Sequence, residues 1–192
     1  MATYRSPSRL PRQQRRGTII RAELVGFEEL RRRLLLFPKN MRKNAMRGGA
    51  RAAAKFLAQR LKARLSAKNL DTAAGSVKHS ARLFGDNRVV GKVEYGSPYN
   101  KTIGRGVNRK TFTKDPWYAH ILEWGARQHE ITPVRTKALK FGGRYIGKVS
   151  KHPGVKPGLY AQRTADQDMP AAMRTFEQYV ERRVTRYWST GR

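Results

Sequence analysis

The chain has 192 residues, with 42 Lys and Arg against 13 Asp and Glu, and a formal net charge of +29. This length fits one domain with extensions, and the absence of cysteine excludes disulfides and thiolate metal sites. So large a positive charge opposes compaction by self-repulsion, so we expect an acidic or polyanionic partner. The N-terminus lacks the apolar stretch of a secretion signal, and no run of residues is apolar enough to span a membrane, so we expect a soluble chain.

The first 17 residues predict a flexible basic arm. They combine prolines, serines and glutamines with basic residues and contain no acidic residue. Such a composition buries too little apolar area to offset the entropy of ordering, so the arm should order only on a partner. Its arginines are Arg5, Arg9, Arg12, Arg15 and Arg16.

Three elements are predicted next. Residues 18–25 (TIIRAELV) are rich in β-branched side chains and predict a strand. Residues 27–37 predict a short helix that Pro38 stops. The clearest helical pattern runs over residues 41–66, where apolar residues recur at steps of three and four.

Two features of this long helix bear on packing and partners. Gly48 and Gly49 permit either a kink or the close approach of another part of the chain. A neighbouring face carries a basic stripe, which is either solvated or faces DNA or another partner. The stripe consists of Arg47, Arg51, Lys55 and Lys62.

The middle of the chain predicts a linker, a hairpin and a loop. Residues 67–75 are interpreted as a linker, and the two strand-like runs 76–84 and 88–96 as a β-hairpin around Gly-Asp-Asn. Residues 97–115 show little periodicity and predict a long, mobile, basic loop. Its basic residues are Lys101, Arg105, Arg109, Lys110 and Lys114.

The segment 117–133, WYAHILEWGARQHEITP, is aromatic and almost uncharged until its end. It predicts a short helix that starts after Asp115-Pro116 and stops at Gly125. Burying Glu123 alone would be costly, so it should pair with an arginine or accept backbone N–H bonds from the following turn.

The C-terminal part predicts a second hairpin, a turn and a helix. Residues 137–141 and 144–149 pair around two glycines, and the turn HPGVKPG follows. The last helix is predicted over residues 169–188, with Asp168 and Pro170 at its start. The whole pattern predicts an α+β fold: an antiparallel sheet packed against a long helix and a C-terminal helix, with a basic arm and a basic loop.

Catalytic and metal sites have weak support. His120 and Glu123 have i, i+3 spacing, but no known zinc pattern accompanies them, so the histidines are interpreted as structural and no cofactor is expected. The few carboxylates are scattered, and there is no nucleophile or phosphate-loop motif. A metal-dependent nuclease that uses Glu123 and Asp115 beside a basic surface remains an alternative.

The order of these signals resembles the tail-completion, or head–tail joining, proteins of long-tailed bacteriophages. The likeness extends over about residues 18–187 and includes Y-A-x-x-L-E-W-G-A at 118–126, K-A-L-K-F at 137–141 and H-P-G-V-K-P at 152–157. Its most specific elements are residues 118–119 and 122–125 in the first of these motifs and 152–154 in the last. The motif residues, interpreted as core or subunit interface, are Tyr118, Leu122, Glu123, Trp124, Gly125, Pro133, Leu139, Phe141, His152, Pro153 and Gly154.

The resemblance implies a non-enzymatic virion protein, assembled in the host cytoplasm. Its copies, usually six, form a ring at the neck between the head connector and the tail tube or tail terminator. Identical subunits that meet head to tail close such a ring, and exposed aromatic residues suit the subunit contact.

The positive charge then has two explanations. The arm 1–17 is expected to grip acidic surfaces on adjacent rings, while the loop 97–115 faces either such a surface or the genomic DNA, which it would bind without reading sequence. The alternative on charge alone is a nucleic-acid-binding protein of the ribosomal type.

Overall fold

The computed structural model describes residues 18–23, 36, 38–84, 88–104, 109–131, 139–141, 144–147 and 150–190. Its helices are α1 (Lys39–Ser66), α2 (Asp71–Gly75), α3 (Ala119–Trp124) and α4 (Tyr160–Thr190). Its strands are β1 (Thr18–Glu23), β2 (Lys78–Phe84), β3 (Arg88–Tyr95), β4 (Tyr99–Ile103), β5 (Lys110–Lys114), β6 (His129–Ile131), β7 (Leu139–Phe141), β8 (Arg144–Gly147) and β9 (Ser150–His152). Two long helices with small antiparallel sheets confirm the α+β class.

The main sheet has three antiparallel strands in the order β1-β3-β2. Helix α1 packs against β2 and β3 and also against α4. In β3, Val89 and Val93 are buried in the common core. Gly91 lies between them where α1 crosses, and a Cβ there would approach the carbonyl oxygen of Ala50 to 3.2 Å. The other described strands form three separate two-stranded ribbons, β4-β5, β6-β9 and β7-β8.

Helices α1 and α4 run antiparallel and pack closely. Near the start of α1, Gly49 faces Phe176 and Val180, both buried, and a Cβ on Gly49 would lie 2.8 Å from a ring carbon of Phe176. Near the other end, Arg64 forms a 2.8 Å ion pair with Asp168. The α1 helix is continuous through both glycines. The glycines therefore serve the close approach of α4 and do not break the helix.

The structure corrects two sequence predictions in the middle of the chain. Residues 71–75 of the expected linker form α2, and most of the expected loop 97–115 is the hairpin β4-β5. The hairpin was missed because side chains pair across its strands without apolar periodicity. The hydroxyl oxygens of Thr102 and Thr111 lie 3.1 Å apart, and the hydroxyl of Thr113 donates to Oδ1 of Asn100 at 3.1 Å.

The start of the last helix was also misplaced. Helix α4 begins at Tyr160, well before the predicted start at 169, and contains Pro170 in its interior. Pro170 lacks the backbone donor for the carbonyl of Asp166, and both residues are exposed, so this carbonyl is open to solvent. Asp168 does not cap the helix, since it pairs with Arg64.

Some predicted elements lie outside the described residues, and two predicted hairpins are confirmed. The arm 1–17 and nearly all of the expected helix 27–37 lie outside the described residues. The predicted hairpins β2-β3 and β7-β8 are confirmed, the latter with shorter strands. Within the described ranges, no helix combines the length and apolarity needed to cross a bilayer.

Replacing Gly49 by alanine tests the close approach of α1 and α4. In an open helix this change stabilises by about 0.5–1 kcal/mol. Here the added Cβ would displace buried side chains, so we expect the free energy of unfolding to fall by about 1–3 kcal/mol in urea titrations. Gly48→Ala is the matched control: Tyr179, which faces it, is only half-buried and can move, so the loss should be smaller. Stabilisation by Gly49→Ala would contradict the packing.

Candidate assembly interface

The aromatic segment folds as the short helix α3, as predicted. The amide of Ala119 donates to the carbonyl of Pro116 at 2.9 Å at its start, and that of Gly125 donates to Ile121 at 2.8 Å at its end. Gly125 has a left-handed φ of +73°, and a Cβ there would lie 2.9 Å from the backbone nitrogen of Pro157. Glycine is therefore needed both for the backbone turn and for the approach of the segment 155–157.

The two most specific motifs, 118–126 and 152–157, pack directly on each other. Ala126 and Val155 exchange a pair of backbone hydrogen bonds of 2.9 and 2.8 Å. The amide of Gly158 donates to the carbonyl of Leu122 at 2.8 Å. Gly154, with a φ of +84°, packs its backbone against the chain just after Ala126. We call this arrangement the motif junction.

A pair of histidines extends the motif junction. His129 in β6 pairs with His152 in β9, and their rings stack with centroids 5.0 Å apart. The Nδ1 of His152 accepts a hydrogen bond from the amide of Gly154 at 3.1 Å, which supports the structural role predicted for this histidine. Among the described residues, no three metal-ligating side chains come together. His120 in particular is exposed, whereas Glu123 is buried.

Glu123 is the centre of the motif junction and is only 1% exposed. The hydroxyl of Tyr95, at the end of β3, donates to its Oε2 at 2.7 Å. The amide of Ala161 donates to both carboxylate oxygens, at 3.1 and 3.0 Å, and that of Gln162 donates to Oε1 at 3.1 Å. Both oxygens of a buried carboxylate are therefore occupied by donors of the fold.

These amide donors belong to the first turn of α4, so Glu123 caps that helix from outside. A helix start leaves its first amides unbonded, and the residue before it usually supplies the acceptor. Leu159 occupies that position here, has a left-handed φ of +51° and carries no acceptor in its side chain. The negative carboxylate also interacts favourably with the helix dipole.

The sequence prediction for Glu123 is thus confirmed in kind and wrong in detail. The carboxylate accepts backbone N–H bonds, which was one of the two expected arrangements. The donors come from a helix 38 residues further along the chain and not from the turn after Gly125. Tyr95, the third donor, was not identified from the sequence as a partner of Glu123.

Both tryptophans of the aromatic segment are exposed, Trp117 just before α3 and Trp124 at its end. Trp117 is 66% exposed and Trp124 is 39% exposed, while Tyr118 and Leu122 are half-buried and pack against the core. The edge of one ring of the Trp117–Tyr118 pair faces the other, with centroids 5.9 Å apart. A core role for Trp124, one of the two expectations, is therefore wrong. We use the name tryptophan face for the exposed surface of Trp117, just before α3, and Trp124, its last residue.

The remaining motif residues are more dispersed. Pro153 is exposed beside the motif junction, and Leu139 and Phe141 are the two ends of β7, which pairs with β8. Pro133 and the arginines of the arm lie outside the described residues. The structure thus brings together Tyr118, Leu122, Glu123, Gly125, His152 and Gly154.

The basic residues form two exposed groups. Arg47, Arg51 and Lys55 are exposed along α1. Burial lowers the pKa of His79 in β2 below its ordinary value of 6.5, and the positive charges of Arg51 and Lys55 lower this pKa further. This part of the stripe therefore borders the edge strand β2. Exposure alone fits both a solvated and a partner-facing stripe.

The second group lies on the hairpin β4-β5. Lys101 is in β4, Lys110 begins β5, and Arg109 immediately precedes it, all three exposed. Arg105 lies outside the described residues. The structure therefore places the basic residues of this segment on a paired ribbon, where the register determines which side chains share a face.

A double-mutant cycle tests the role of Glu123. Glu123→Ala would remove the acceptor of the Tyr95 hydroxyl bond, of the buried Ala161 amide and of the part-buried Gln162 amide, so we expect a loss of about 3–5 kcal/mol in the free energy of unfolding. Tyr95→Phe removes one donor and should cost about 1–2 kcal/mol. The double variant should lose about 1 kcal/mol less than the sum, because the two side chains interact. Strict additivity, or a stable Glu123→Ala protein, would contradict the capping role.

The motif junction is a set of close backbone contacts around one buried carboxylate, with indole rings on its exposed side. The chain matches no known family model, no curated protein and no solved structure. A function for it is therefore inferred from its own residues and their arrangement.

Proposed function

We propose that the chain is a structural subunit of the neck of a tailed bacteriophage, where it completes the tail end and joins it to the head connector. The observation that carries this proposal is the motif junction. The two motifs on which the family resemblance depends are about 30 residues apart in the sequence, yet they pack directly on each other. Motifs that pack into one unit support a shared fold, and the neck role is proposed by analogy with the family that the motifs resemble.

The tryptophan face supports assembly with other copies. Large aromatic side chains contribute most of the binding energy in protein interfaces, and here two indoles are exposed, one just before α3 and one at its end. A contact between this face and a different surface of the next subunit is head-to-tail, and repeated rotation closes a ring. The resemblance suggests six copies, bound on one side to the connector and on the other to the tail tube or terminator.

The proposed role is non-enzymatic. Glu123 is the only carboxylate in the most specific motifs, and both of its oxygens accept hydrogen bonds from the fold. A general base would need a free lone pair directed at a substrate. The buried carboxylate of the motif junction is better suited to holding α3 and α4 together.

The assembly state of the purified chain tests the ring. We expect native mass spectrometry to give several times the 22.0 kDa mass of the chain, and electron microscopy to show closed particles. The double variant Trp117→Ser/Trp124→Ser should give monomers, because it removes the two exposed indole rings that supply most of the apolar area of the proposed subunit interface.

Trp188→Ser is the matched control, since Trp188 at the end of α4 is also 66% exposed and lies outside the tryptophan face. It should keep the assembled mass. Circular dichroism and the thermal midpoint of each variant establish that it is folded. A monomeric wild-type chain would overturn the ring, and equal loss of assembly in both variants would remove the tryptophan face from the subunit interface.

Location in a particle tests the neck assignment separately. Antibodies against the chain, applied to virions purified from cells that produce it, should place gold label at the head–tail junction. Label at another position, or virions without the chain, would exclude the neck role even if the purified chain forms rings.

The competing nucleic-acid-binding role is favoured by one specific observation, the exposed lysines of the β4-β5 hairpin.

A further inference from the structure

The hairpin β4-β5 extends from the body of the domain and is attached mainly at its base. There the Tyr99 ring packs against Gly75, and the Lys78 ammonium donates to the carbonyl of Pro98 at 3.5 Å. Beyond this base, every described residue of the two strands is exposed. An isolated two-stranded hairpin is at best marginally stable in water, so a partner that covers one of its faces would stabilise it.

The register gives the hairpin two chemically different faces. Side chains directly opposite each other in an antiparallel pair lie on the same face. One face carries the hydrogen-bonded Thr and Asn pairs described above. On the other, which we call the lysine face, each opposed pair joins one lysine to one aromatic or aliphatic residue. The pairs are Tyr99 with Lys114, Lys101 with Phe112, and Ile103 with Lys110.

The lysine face combines unneutralised charge with exposed apolar area. Residues 97–114 contain five basic residues and no acidic one. Among the described residues, no carboxylate lies within ion-pair distance of Lys101, Lys110 or Lys114. Phe112 is 47% exposed and Ile103 is 54% exposed. A partner for this face must therefore be anionic and also offer flat or apolar surface.

We propose that the lysine face binds nucleic acid, with the three lysines on phosphates and with Phe112 and Ile103 against sugars and bases. The inference stands independently of the proposed ring, because it uses only the hairpin. Phosphate contacts of this kind add affinity without reading sequence. Aromatic side chains add stacking, which every base can provide.

The spacing of the lysine face is compatible with a nucleic-acid duplex. Successive pairs on one face of a ribbon are two residues apart, or about 6.8 Å. This repeat is about twice the axial spacing of charges along one strand of a duplex, ~3.4 Å. The lysines alternate between the strands, on β5, β4 and β5 from base to tip. A two-stranded ribbon also fits the major groove, about 12 Å wide.

A second copy of the chain is a poorer occupant for the lysine face. The chain carries a formal charge of +29, and the exposed part of α1 nearest to the edge strand β2 is itself basic. Contact between two such surfaces would be opposed by repulsion between their positive charges. The charge complement of the lysine face is thus a polyanion, and its exposed aromatic and aliphatic residues favour nucleic acid, whose bases offer stacking surfaces, over an acidic protein surface.

Binding to a fluorescent, mixed-sequence DNA duplex and to its single strand, followed by anisotropy at several salt concentrations, tests this proposal. The variant Lys101→Gln/Lys110→Gln/Lys114→Gln should bind both at least about tenfold more weakly at physiological salt. The slope of log affinity against log salt for the duplex should become shallower by roughly 0.9 for each lysine–phosphate ion pair that the substitutions remove.

The control variant Lys68→Gln/Lys151→Gln/Lys156→Gln removes the same charge from three exposed lysines outside both the hairpin and the basic stripe of α1. It should change the affinity much less and retain most of the salt slope. Phe112→Ala keeps every charge, so it should leave the salt slope unchanged while weakening single-strand binding by about fivefold or more. Circular dichroism establishes that each variant is folded.

Two results would overturn the proposal. Equal losses of affinity in the two triple variants would mean that binding follows overall charge and not the lysine face. Poly-glutamate that competes as well as DNA of equal charge would indicate an acidic protein as the partner. Native mass measured on the same variants separates this inference from the ring, because substitution of the lysine face should leave the assembled mass unchanged.

Discussion

A carboxylate removed from water must be matched by hydrogen-bond donors, and the rest of this structure is arranged around meeting that requirement at Glu123. The donors come from the end of β3 and the first turn of α4, while the acid itself comes from α3. Three elements distant in sequence are thereby fixed relative to one another. Trp124 and the residues that form the backbone bonds of the motif junction are neighbours of Glu123 in α3 or directly after it, so the same constraint holds them in place.

The sequence predicts those parts of the fold that depend on local pattern. The apolar repeat of α1, the hairpin β2-β3 and the end of α3 at Gly125 were all correctly identified, since periodicity and turn residues determine them. The start of α4 could not be found in this way. Its cap is supplied by Glu123 through space, and Leu159 gives no capping signal. The hairpin β4-β5 could not be predicted from apolar periodicity either. Its strands carry hydroxyl and amide side chains that hydrogen-bond in pairs across the hairpin, and they lack alternating apolar residues.

The site was predicted as a set of residues but not as an arrangement. The motifs single out candidate positions, yet only the structure brings 118–126 and 152–157 together and separates buried Glu123 from exposed Trp124. It also distinguishes two surfaces with different chemistry. Contacts through the tryptophan face would strengthen when salts exclude apolar groups from water, whereas contacts through the lysine face would weaken as salt screens charge. Ionic strength can therefore separate the two kinds of partner.

The antiparallel packing of α1 and α4 has a consequence for synthesis. Domains begin to fold while the chain is still being made. The ribosome adds about 5–20 residues per second. Residues 176–180, which pack against Gly48 and Gly49, are made after α3, and so are the α4 amides that Glu123 accepts from. Until they emerge from the ribosome, the strip of α1 at these glycines is not covered by α4. During that interval the strip is available to a chaperone or to a neighbouring nascent chain on the same polysome.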